Sequence, residues 1–291
     1  MISVIITAFK EEQTIGPAIK TFLDENIAGM EILVVAPDDA TLNAAKKFKG
    51  VKTLRDPGRG KPTALNLAFK AVNRKSKVWV LTDGDVVIEK GTLRFLVDHF
   101  RKREVGAVSG HPVPTNDRFS LLGFWAHMLT HIWDVTRRDW MVNKQLLICS
   151  GYLFALRADI IQRIPEDALS DDAIMSYYVF QQGWRMLYEP KALVLVKFPS
   201  TLRDWFKQKR RSAGGYLQTK KYFSSMPVTR SVLREIYLGT KIVLSFPRSL
   251  KECFYTAVFF PARAWLWLLI YYDRLKKKNL QQVWQRVEST K

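Results

Sequence analysis

Cysteine is scarce in this chain. Its 291 residues include only two cysteines, Cys149 and Cys253, and two cysteines cannot form a disulfide framework. No secretory signal precedes the first apolar stretch, which begins at Ile2. These absences argue against a small secreted protein held together by disulfides, and we expect the functional site to face the cytoplasm.

Acidic residues are scarce in the last third of the chain. The range from Thr201 to Lys291 holds 19 lysines and arginines against 5 aspartates and glutamates, a net +14 of the whole chain's +19. With 47% hydrophobic and 12% aromatic residues, the chain can bury a large core and has length for a second region. The uneven charge indicates an anionic partner, either nucleic acid or a membrane surface.

The first eighty residues alternate between strand and helix patterns. The predicted strands are Ile2–Ile6, Glu31–Val35, Lys52–Leu54 and Lys77–Leu81. The predicted helices end near Leu23, near Phe48 and at Val72, and the third has Pro62 in its first turn. This alternation predicts an α/β fold with a parallel, doubly wound sheet.

Carboxylates follow the fourth predicted strand directly, in the segment Thr82–Asp85. Ligands of α/β sheets bind at the carboxyl ends of strands. Two carboxylates one residue apart, Asp83 and Asp85, offer the hard oxygen ligands that Mg²⁺ or Mn²⁺ prefers. Taken alone, Asp-Gly-Asp is also good turn chemistry, and an isolated copy is more often a surface turn.

Two further charged clusters follow in order along the chain. Ser170–Asp172 suits a general base, and Gln208–Arg211 suits a cationic clamp on a leaving phosphate. Each has a plainer alternative, because acidic residues favour a helix amino terminus and a basic run is often a solvated face. Together with Thr82–Asp85, however, the clusters describe the site of a sugar-nucleotide transfer.

These segments resemble the family 2 glycosyltransferases, inverting enzymes with the GT-A fold that use nucleotide-diphosphate sugars. The resemblance covers about the first two thirds of the chain and implies a GT-A catalytic domain over residues 1–220. Residues 221–291 would form a basic, aromatic-rich helical region for membrane association. The segments that carry the resemblance are Ile5–Glu11, Gly60–Asn66, Thr82–Asp85, Ser150–Arg157, Ser170–Asp172, Gly183–Ala192 and Gln208–Ser212.

The resemblance implies a role for each matching residue. Asp172 corresponds to the catalytic base that takes the acceptor's proton, and Asp85 to the ligand of a divalent metal, Mg²⁺ or Mn²⁺. The acceptor side would include Gly151, Tyr152 and Asp171. The residues expected to bind the nucleotide sugar are Thr7, Phe9, Glu11, Asp38, Lys61, Asp83, Gln208, Arg210 and Arg211.

The chain departs from the family pattern at two points. Ala36 and Pro37 stand where the family has an acidic residue after its second strand, so recognition of the nucleotide base is expected to shift to Asp38 or Asp39. Ser212 replaces the tryptophan that lies against the acceptor sugar in polymerising members. The sequence therefore leaves the nucleotide, and the choice between single and repeated transfer, open.

Two apolar, aromatic stretches in the basic carboxyl-terminal region, Tyr237–Leu250 and Cys253–Tyr272, predict membrane association. Pro261 and Arg263 make the second a poor span, since arginine costs about 2.5–3.5 kcal/mol at mid-bilayer. Helices lying in the interface fit better, although an ordinary buried helical pair is the plainer alternative. The side chains expected at the headgroups are Trp265, Trp267 and Tyr271, with Arg274–Lys278 on anionic lipid.

Two other function classes make different predictions for this chain. A basic nucleic-acid-binding protein would bind oligonucleotides in a salt-sensitive, metal-independent way. A sugar-nucleotidyltransferase of related fold would need a glycine-rich, arginine-bearing loop after its first strand, and Thr7–Glu11 contains none. We expect instead a nucleotide-diphosphate sugar donor, a lipid-linked or glycan acceptor, an anionic membrane surface and no nucleic acid. The expected location is the cell membrane, peripheral or monotopic, with the active site facing the cytoplasm.

Overall fold

The computed structural model describes residues 1–224, 240–276 and 288–290. The chain divides into two compact units. The first comprises Met1–Val113 and Arg137–Val196, and the second comprises Pro114–Thr136 and Lys197–Lys291. The predicted headgroup and lipid contacts of Lys277 and Lys278, and the start of the stretch from Tyr237, lie outside the described residues.

One sheet of eight strands forms the first unit's framework, in the order β3-β2-β1-β4-β7-β6-β8-β5. The strands are β1 (Ile2–Thr7), β2 (Met30–Ala36), β3 (Val51–Arg55), β4 (Val78–Asp83), β5 (Val87–Ile88), β6 (Val105–Pro114), β7 (Leu153–Arg157) and β8 (Arg185–Val196). Strands β1 to β4 are parallel, which confirms the predicted sheet for the amino-terminal half. Strand β7 runs antiparallel to β4 and β6, and β5 runs antiparallel to β8, so the whole sheet is mixed.

Eight α-helices are described. They are α1 (Ile15–Leu23), α2 (Asp39–Lys46), α3 (Lys61–Ala71), α4 (Thr92–Asp98), α5 (Leu121–Val142), α6 (Asp171–Gln181), α7 (Leu202–Tyr222) and α8 (Leu250–Leu275). Short 3-10 turns occur at His99–Arg101 and Glu288–Thr290, and residues 240–245 are also helical. The central strands are apolar runs because helices cover a doubly wound parallel sheet on both faces, and Val4, Ile5 and Ile6 are completely buried.

The register of the strands brings the ends of β1 and β4 and the start of β7 to one edge of the sheet. Thr7 at the end of β1 lies opposite both Val35 of β2 and Asp83 of β4. Leu153, which begins β7, lies opposite Thr82. The segment before β7 therefore reaches the same sheet edge as the turn after β4.

The second unit is built around aromatic side chains. Trp125 of α5 contacts the rings of Trp205 and Phe259 at 5.1 and 5.4 Å between centroids, and its indole N–H donates to the carbonyl of Tyr255. The Arg118 guanidinium binds the Glu252 carboxylate with nitrogen–oxygen distances of 2.8 and 3.2 Å. These contacts fix α8 on the amino-terminal part of α5.

The predicted boundary at residue 220 does not coincide with the division between the two units. Residue 220 lies inside α7, which belongs to the second unit from its beginning. Trp205 and Ala213 of α7 pack in the same buried cluster as Leu266 of α8. The apolar face of α7 thus joins it to the second unit, which a change in composition along the sequence could not show.

Helix α8 continues through Pro261 as a single helix and presents an apolar stripe to solvent. One series of its exposed positions recurs every three or four residues, the spacing of one helix face. They are Leu250, Phe254, Ala257, Pro261, Trp265, Leu268, Tyr272 and Leu275. Among the described residues, Leu250–Asp273 is the one segment long and apolar enough to cross a membrane, judged by length and composition alone.

The prediction for Trp267 was wrong. Its side chain is only 7% exposed and packs in the buried cluster with Leu266 and Ile270, whereas Trp265 and Tyr271 are 56% and 47% exposed. Position 267 is turned about 200° around the helix from position 265, which places it on the packed face. Of the three predicted headgroup side chains, two are on the solvent side.

Candidate active site

The turn after β4 is shaped around Gly84. Its backbone N–H donates to the carbonyl of Thr7 at 3.1 Å, which joins the ends of β1 and β4. A Cβ at this position would collide with a carboxylate oxygen of Glu11 and would lie 2.8 Å from the Cβ of Ala8. Because residue 84 has no side chain, the Glu11 carboxylate can lie directly against the turn that carries Asp83 and Asp85.

Asp85 offers a half-buried carboxylate on this turn for a divalent cation. Among the described residues, no group of three or more histidine, cysteine, aspartate or glutamate side chains is arranged to hold a metal ion. Mg²⁺ is commonly held by one or two carboxylates, with water and substrate phosphates filling its other positions. Asp85, with Glu11 close to the same turn, fits a cation of that kind but not a fully protein-ligated site.

Lys61 joins the two sides of the site. Its ammonium lies 2.6 Å from Oδ1 of Asp83 and 3.3 Å from Oδ2 of Asp171. The lysine opens α3 directly after Gly60, whose φ of 104° favours glycine. Burial alone would lower the pKa of Lys61, but the carboxylates of Asp171 and Asp83 raise it well above its usual range, so the side chain is charged.

Asp172 lies in the first turn of α6. One carboxylate oxygen accepts a hydrogen bond from the backbone N–H of Ala173 at 2.8 Å. Burial and the neighbouring Asp171 raise the pKa of Asp172, and Lys61 together with the Ala173 hydrogen bond offsets part of this rise. The predicted base is therefore a half-buried carboxylate whose proton affinity is increased.

Gly151, in the segment before β7, lies directly beside the Asp172 carboxylate. A Cβ at residue 151 would lie only 3.1 Å from Oδ2 of Asp172. The adjacent carbonyl of Tyr152 accepts a hydrogen bond from the Thr82 hydroxyl at 2.8 Å, which fixes this segment to the end of β4. The structure thus brings together six of the predicted residues: Lys61, Asp83, Gly151, Tyr152, Asp171 and Asp172.

Asp38 has a structural task of its own. Its two oxygens accept hydrogen bonds from the backbone N–H groups of Thr41 at 2.9 Å and of Lys10 at 2.8 Å. Burial raises its pKa, but these hydrogen bonds outweigh burial and hold the pKa below its ordinary value. Asp38 thereby caps α2 and orders the loop that carries Phe9 and Glu11, while its contact with a nucleotide remains a prediction.

Gln208, Arg210 and Arg211 belong to α7 in the second unit. The Nε of Arg210 donates to the buried carboxylate of Asp273 at 3.1 Å, so this guanidinium connects α7 with α8. The ion pair with Asp273 gives Arg210 a structural role that the run of basic residues in the sequence did not reveal. The predicted contacts of these three residues with the nucleotide remain predictions.

Sequence reasoning missed the residues that support the base. The Ser176 hydroxyl donates to the carbonyl of Asp172 at 2.7 Å and accepts from the backbone N–H of Cys149 at 3.0 Å. The spacing of four residues between Asp172 and Ser176 places both on one face of α6, and this signal was available. The contact between Lys61 and Asp171 had no such signal, because it joins residues far apart in sequence.

Three comparisons relate the chain to known proteins. The family model described as "Glycosyltransferase like family 2" matches residues 1–215. Poly-β-1,6-N-acetyl-D-glucosamine synthase of Staphylococcus aureus strain COL is 23% identical over 243 residues, 79% of this chain and 58% of the relative. The synthase of that name from Staphylococcus epidermidis is also 23% identical, over 74% of this chain and 54% of the relative.

The chain thus spans less than two thirds of these curated relatives. The crystal structure of a mycobacterial protein shares the fold, with a TM-score of 0.52 and 15% identity, and the match covers 76% of this chain and 74% of that one. The family match covers the whole of the first unit, including the carboxylates around Lys61. On this evidence the chain belongs to the glycosyltransferase family 2-like proteins.

Proposed function

We propose that this protein is an inverting glycosyltransferase that moves a sugar from a nucleotide-diphosphate sugar to an acceptor hydroxyl. The observation that carries the proposal is the half-buried Asp172 carboxylate beside Gly151, at the sheet edge where Asp83 also lies. Direct attack of the acceptor oxygen on the anomeric carbon inverts that centre.

Asp172 acts as the general base in this proposal. An acceptor hydroxyl is a poor nucleophile at neutral pH, so a carboxylate within hydrogen-bond reach must take its proton as the new bond forms. A raised pKa makes the carboxylate a better proton acceptor once it is ionised. Gly151 provides the space through which the acceptor oxygen approaches.

The donor occupies the turn after β4. Asp85 and Glu11 would hold a Mg²⁺ or Mn²⁺ ion, which when bound neutralises the charge that develops on the leaving diphosphate. Lys61 and Asp83 form an ion pair on the side of the donor site that is next to the base. Thr7 lies at the same sheet edge, and Phe9 lies in the loop that Asp38 orders. Both residues would contact the nucleoside there.

The substrate class is suggested by the named relatives. The staphylococcal proteins are poly-β-1,6-N-acetyl-D-glucosamine synthases, so a nucleotide-diphosphate N-acetylglucosamine is the first donor to test. The acceptor would be a lipid-linked or membrane-proximal glycan.

The exposed stripe of α8 supports an anionic membrane surface as a partner. Trp265 and Leu268 are more than half exposed, Lys251 lies in the first turn of the same helix, and Lys276 directly follows its last residue. An apolar helix face of this length with basic neighbours is typical of helices that lie in the headgroup region. We propose that the protein is peripheral or monotopic on the cytoplasmic side of the cell membrane.

Donor use is tested by incubating the full chain with a panel of nucleotide sugars, Mn²⁺ and a membrane lipid extract. Release of the nucleotide is measured for the wild type and for Asp172→Asn. We expect release with one donor, dependent on the extract and lost in the variant. Release that is equal in the variant, or absent with every donor, would overturn the proposal.

Membrane association is tested with liposomes that contain anionic lipid. The double variant Trp265→Glu, Leu268→Glu should stay folded and bind nucleotide but no longer sediment with the liposomes. Phe95→Glu is the matched control, because Phe95 is a 41% exposed aromatic of the first unit. Sedimentation of the wild type should weaken with salt without vanishing, since apolar insertion is not screened. Equal sedimentation of the double variant would exclude α8 as the contact.

A further inference from the structure

Two carboxylates share one ammonium at the centre of the candidate active site, and a third carboxylate follows one of them along the chain. Asp83 and Asp171 are both in ion-pair distance of Lys61 Nζ, at 2.6 and 3.3 Å, and Asp172 is the next residue along α6. The Lys61 side chain is only 24% exposed, and that of Asp171 only 15%. Solvent therefore screens these charges less than it screens charges on the surface.

The charge balance of this cluster opposes ionisation of Asp172. Burial and the adjacent Asp171 carboxylate both favour the neutral form of Asp172, whereas Lys61 favours the charged form. A general base must be ionised to take a proton. Lys61 is thus the charged side chain that counteracts both effects.

We propose that Lys61 is a positioning residue for the base, because its ammonium compensates the paired carboxylates at the start of α6 and ties them to Asp83 on the donor side. This rests on the proposed function of Asp172. It differs from a role in donor binding alone, in which Lys61 would contact the diphosphate and leave Asp172 unaffected. The ion pair between Lys61 and Asp171 favours the positioning role. A lysine that only bound the donor would not have to contact a carboxylate on the acceptor side.

The groups that face Asp172 come from three elements. Asp171 is its neighbour on α6, Lys61 faces it from the start of α3, and the Cys149 thiol lies in the segment before β7. Burial raises the pKa of Cys149 to about 12, so the thiol stays neutral over the working range and adds no charge. The electrostatic environment of Asp172 is therefore set mainly by one like charge and one opposite charge.

Removal of each of the two charges in the full chain is expected to change the pKa of Asp172 in opposite directions. A nearby opposite charge lowers the pKa of a carboxyl group, and a nearby like charge raises it. Lys61→Met should therefore raise the pKa of Asp172, and Asp171→Asn should lower it. Lys61→Arg keeps the charge and should cause a smaller change than Lys61→Met.

The experiment follows the side-chain carbonyl carbon of Asp172 by NMR during a pH titration of ¹³C-aspartate-labelled protein. The resonance is assigned by its loss in Asp172→Asn. Lys70→Met is the matched control, because Lys70 is an exposed lysine on the same helix. Wherever a donor supports turnover, the acidic limb of the rate profile should move by the same number of pH units as the resonance.

Each outcome decides between the roles. An unchanged Asp172 titration in Lys61→Met, with a raised donor KM, would overturn the proposal and leave Lys61 as a donor ligand. If Lys61→Met does not fold, the Asp171→Asn variant decides. An Asp172 pKa that stays the same in Asp171→Asn would overturn the proposal, because Asp171 would then exert no repulsion on Asp172 for Lys61 to compensate. The titration needs no substrate, so a shifted resonance without any transfer would sink the proposed function and not this inference.

Discussion

The two ends of the parallel strands bury carboxylates in different ways. Near the amino ends, Glu31 accepts hydrogen bonds from the Ser3 hydroxyl at 2.5 Å, the Asn73 N–H at 2.6 Å and the Lys52 ammonium at 2.9 Å. Burial raises the pKa of Glu31, but these partners outweigh burial and hold it below its ordinary value. At the opposite edge, burial and Asp171 raise the pKa of Asp172.

The difference shows how one residue type serves stability at one end and chemistry at the other. A carboxylate whose oxygens are satisfied by donors stabilises the fold through its charged form. A like charge next to a carboxylate raises its proton affinity, so ionisation of that carboxylate destabilises the folded protein. Variants at the two ends should therefore separate catalytic effects from effects on folding.

The largest effect is expected from Asp85→Asn, which removes the proposed cation ligand at the site end. Transfer should be abolished and nucleotide binding should lose its dependence on Mn²⁺, because a neutral amide is a weaker ligand than a carboxylate. Calorimetry of nucleotide diphosphate binding with and without Mn²⁺ measures the second effect. Asp98→Asn, at a 60% exposed carboxylate, is the control, and unchanged turnover in Asp85→Asn would contradict the assignment.

Asp172→Asn should slow transfer by a factor on the order of 10² to 10⁴ while donor binding is retained. The raised pKa means that ionised Asp172 costs stability as pH rises through that pKa, so the variant should be at least as stable as the wild type near pH 7. Rates and thermal midpoints measured on the same preparation check both statements. A collapse of donor affinity would make Asp172 a binding or structural residue.

Glu31→Gln should have the opposite profile. Transfer should be retained, and the free energy of unfolding should fall by about 1.5–3 kcal/mol, the size of a hydrogen bond to a charged group. Because the folded pKa lies below the unfolded value near 4.5, this loss is full above that pH and shrinks as pH falls through the folded pKa. Urea unfolding at pH 7 and at acid pH measures it, and a pH-independent difference would refute the charge-based explanation.

Lys52→Met should have the smallest effect. The ammonium binds Glu31, but the lysine side chain is 58% exposed, so solvent screens the pair. We expect a loss of only about 0.2–1 kcal/mol in urea unfolding and no change in transfer. A loss as large as that of Glu31→Gln would mean that Lys52, rather than Ser3 and the Asn73 backbone, holds the carboxylate.

The amino-terminal part of the fold was predictable because its signals are local. The four parallel strands appear where apolar, β-branched runs predicted them, and the strand of Lys77–Leu81 ends at the carboxylates as expected. The plainer alternative for Asp171 and Asp172 placed them at a helix amino terminus, and Asp172 does lie in the first turn of α6, while its role as the base remains a prediction. These features depend on residues within a few positions of one another, so the sequence carries them directly.

The carboxyl-terminal region was less predictable. The aromatic content of Cys253–Tyr272 indicated a helix near a membrane, yet it did not distinguish Trp265 on the exposed face from Trp267 on the packed face. Both tryptophans suit a headgroup region equally well. Which one is buried depends on the side of α8 that packs against α5 and α7, and that choice is made by distant residues.

The sequence by itself determined the alternating framework of the first unit, the order of the charged clusters and the basic excess near the carboxyl terminus. Only the tertiary structure decided that Lys61 binds Asp171 as well as Asp83, that Asp38 caps α2, and that Arg210 pairs with Asp273. The physical reason is that charges interact through space, and a buried charge takes the partner that the packing of distant elements brings within a few ångströms.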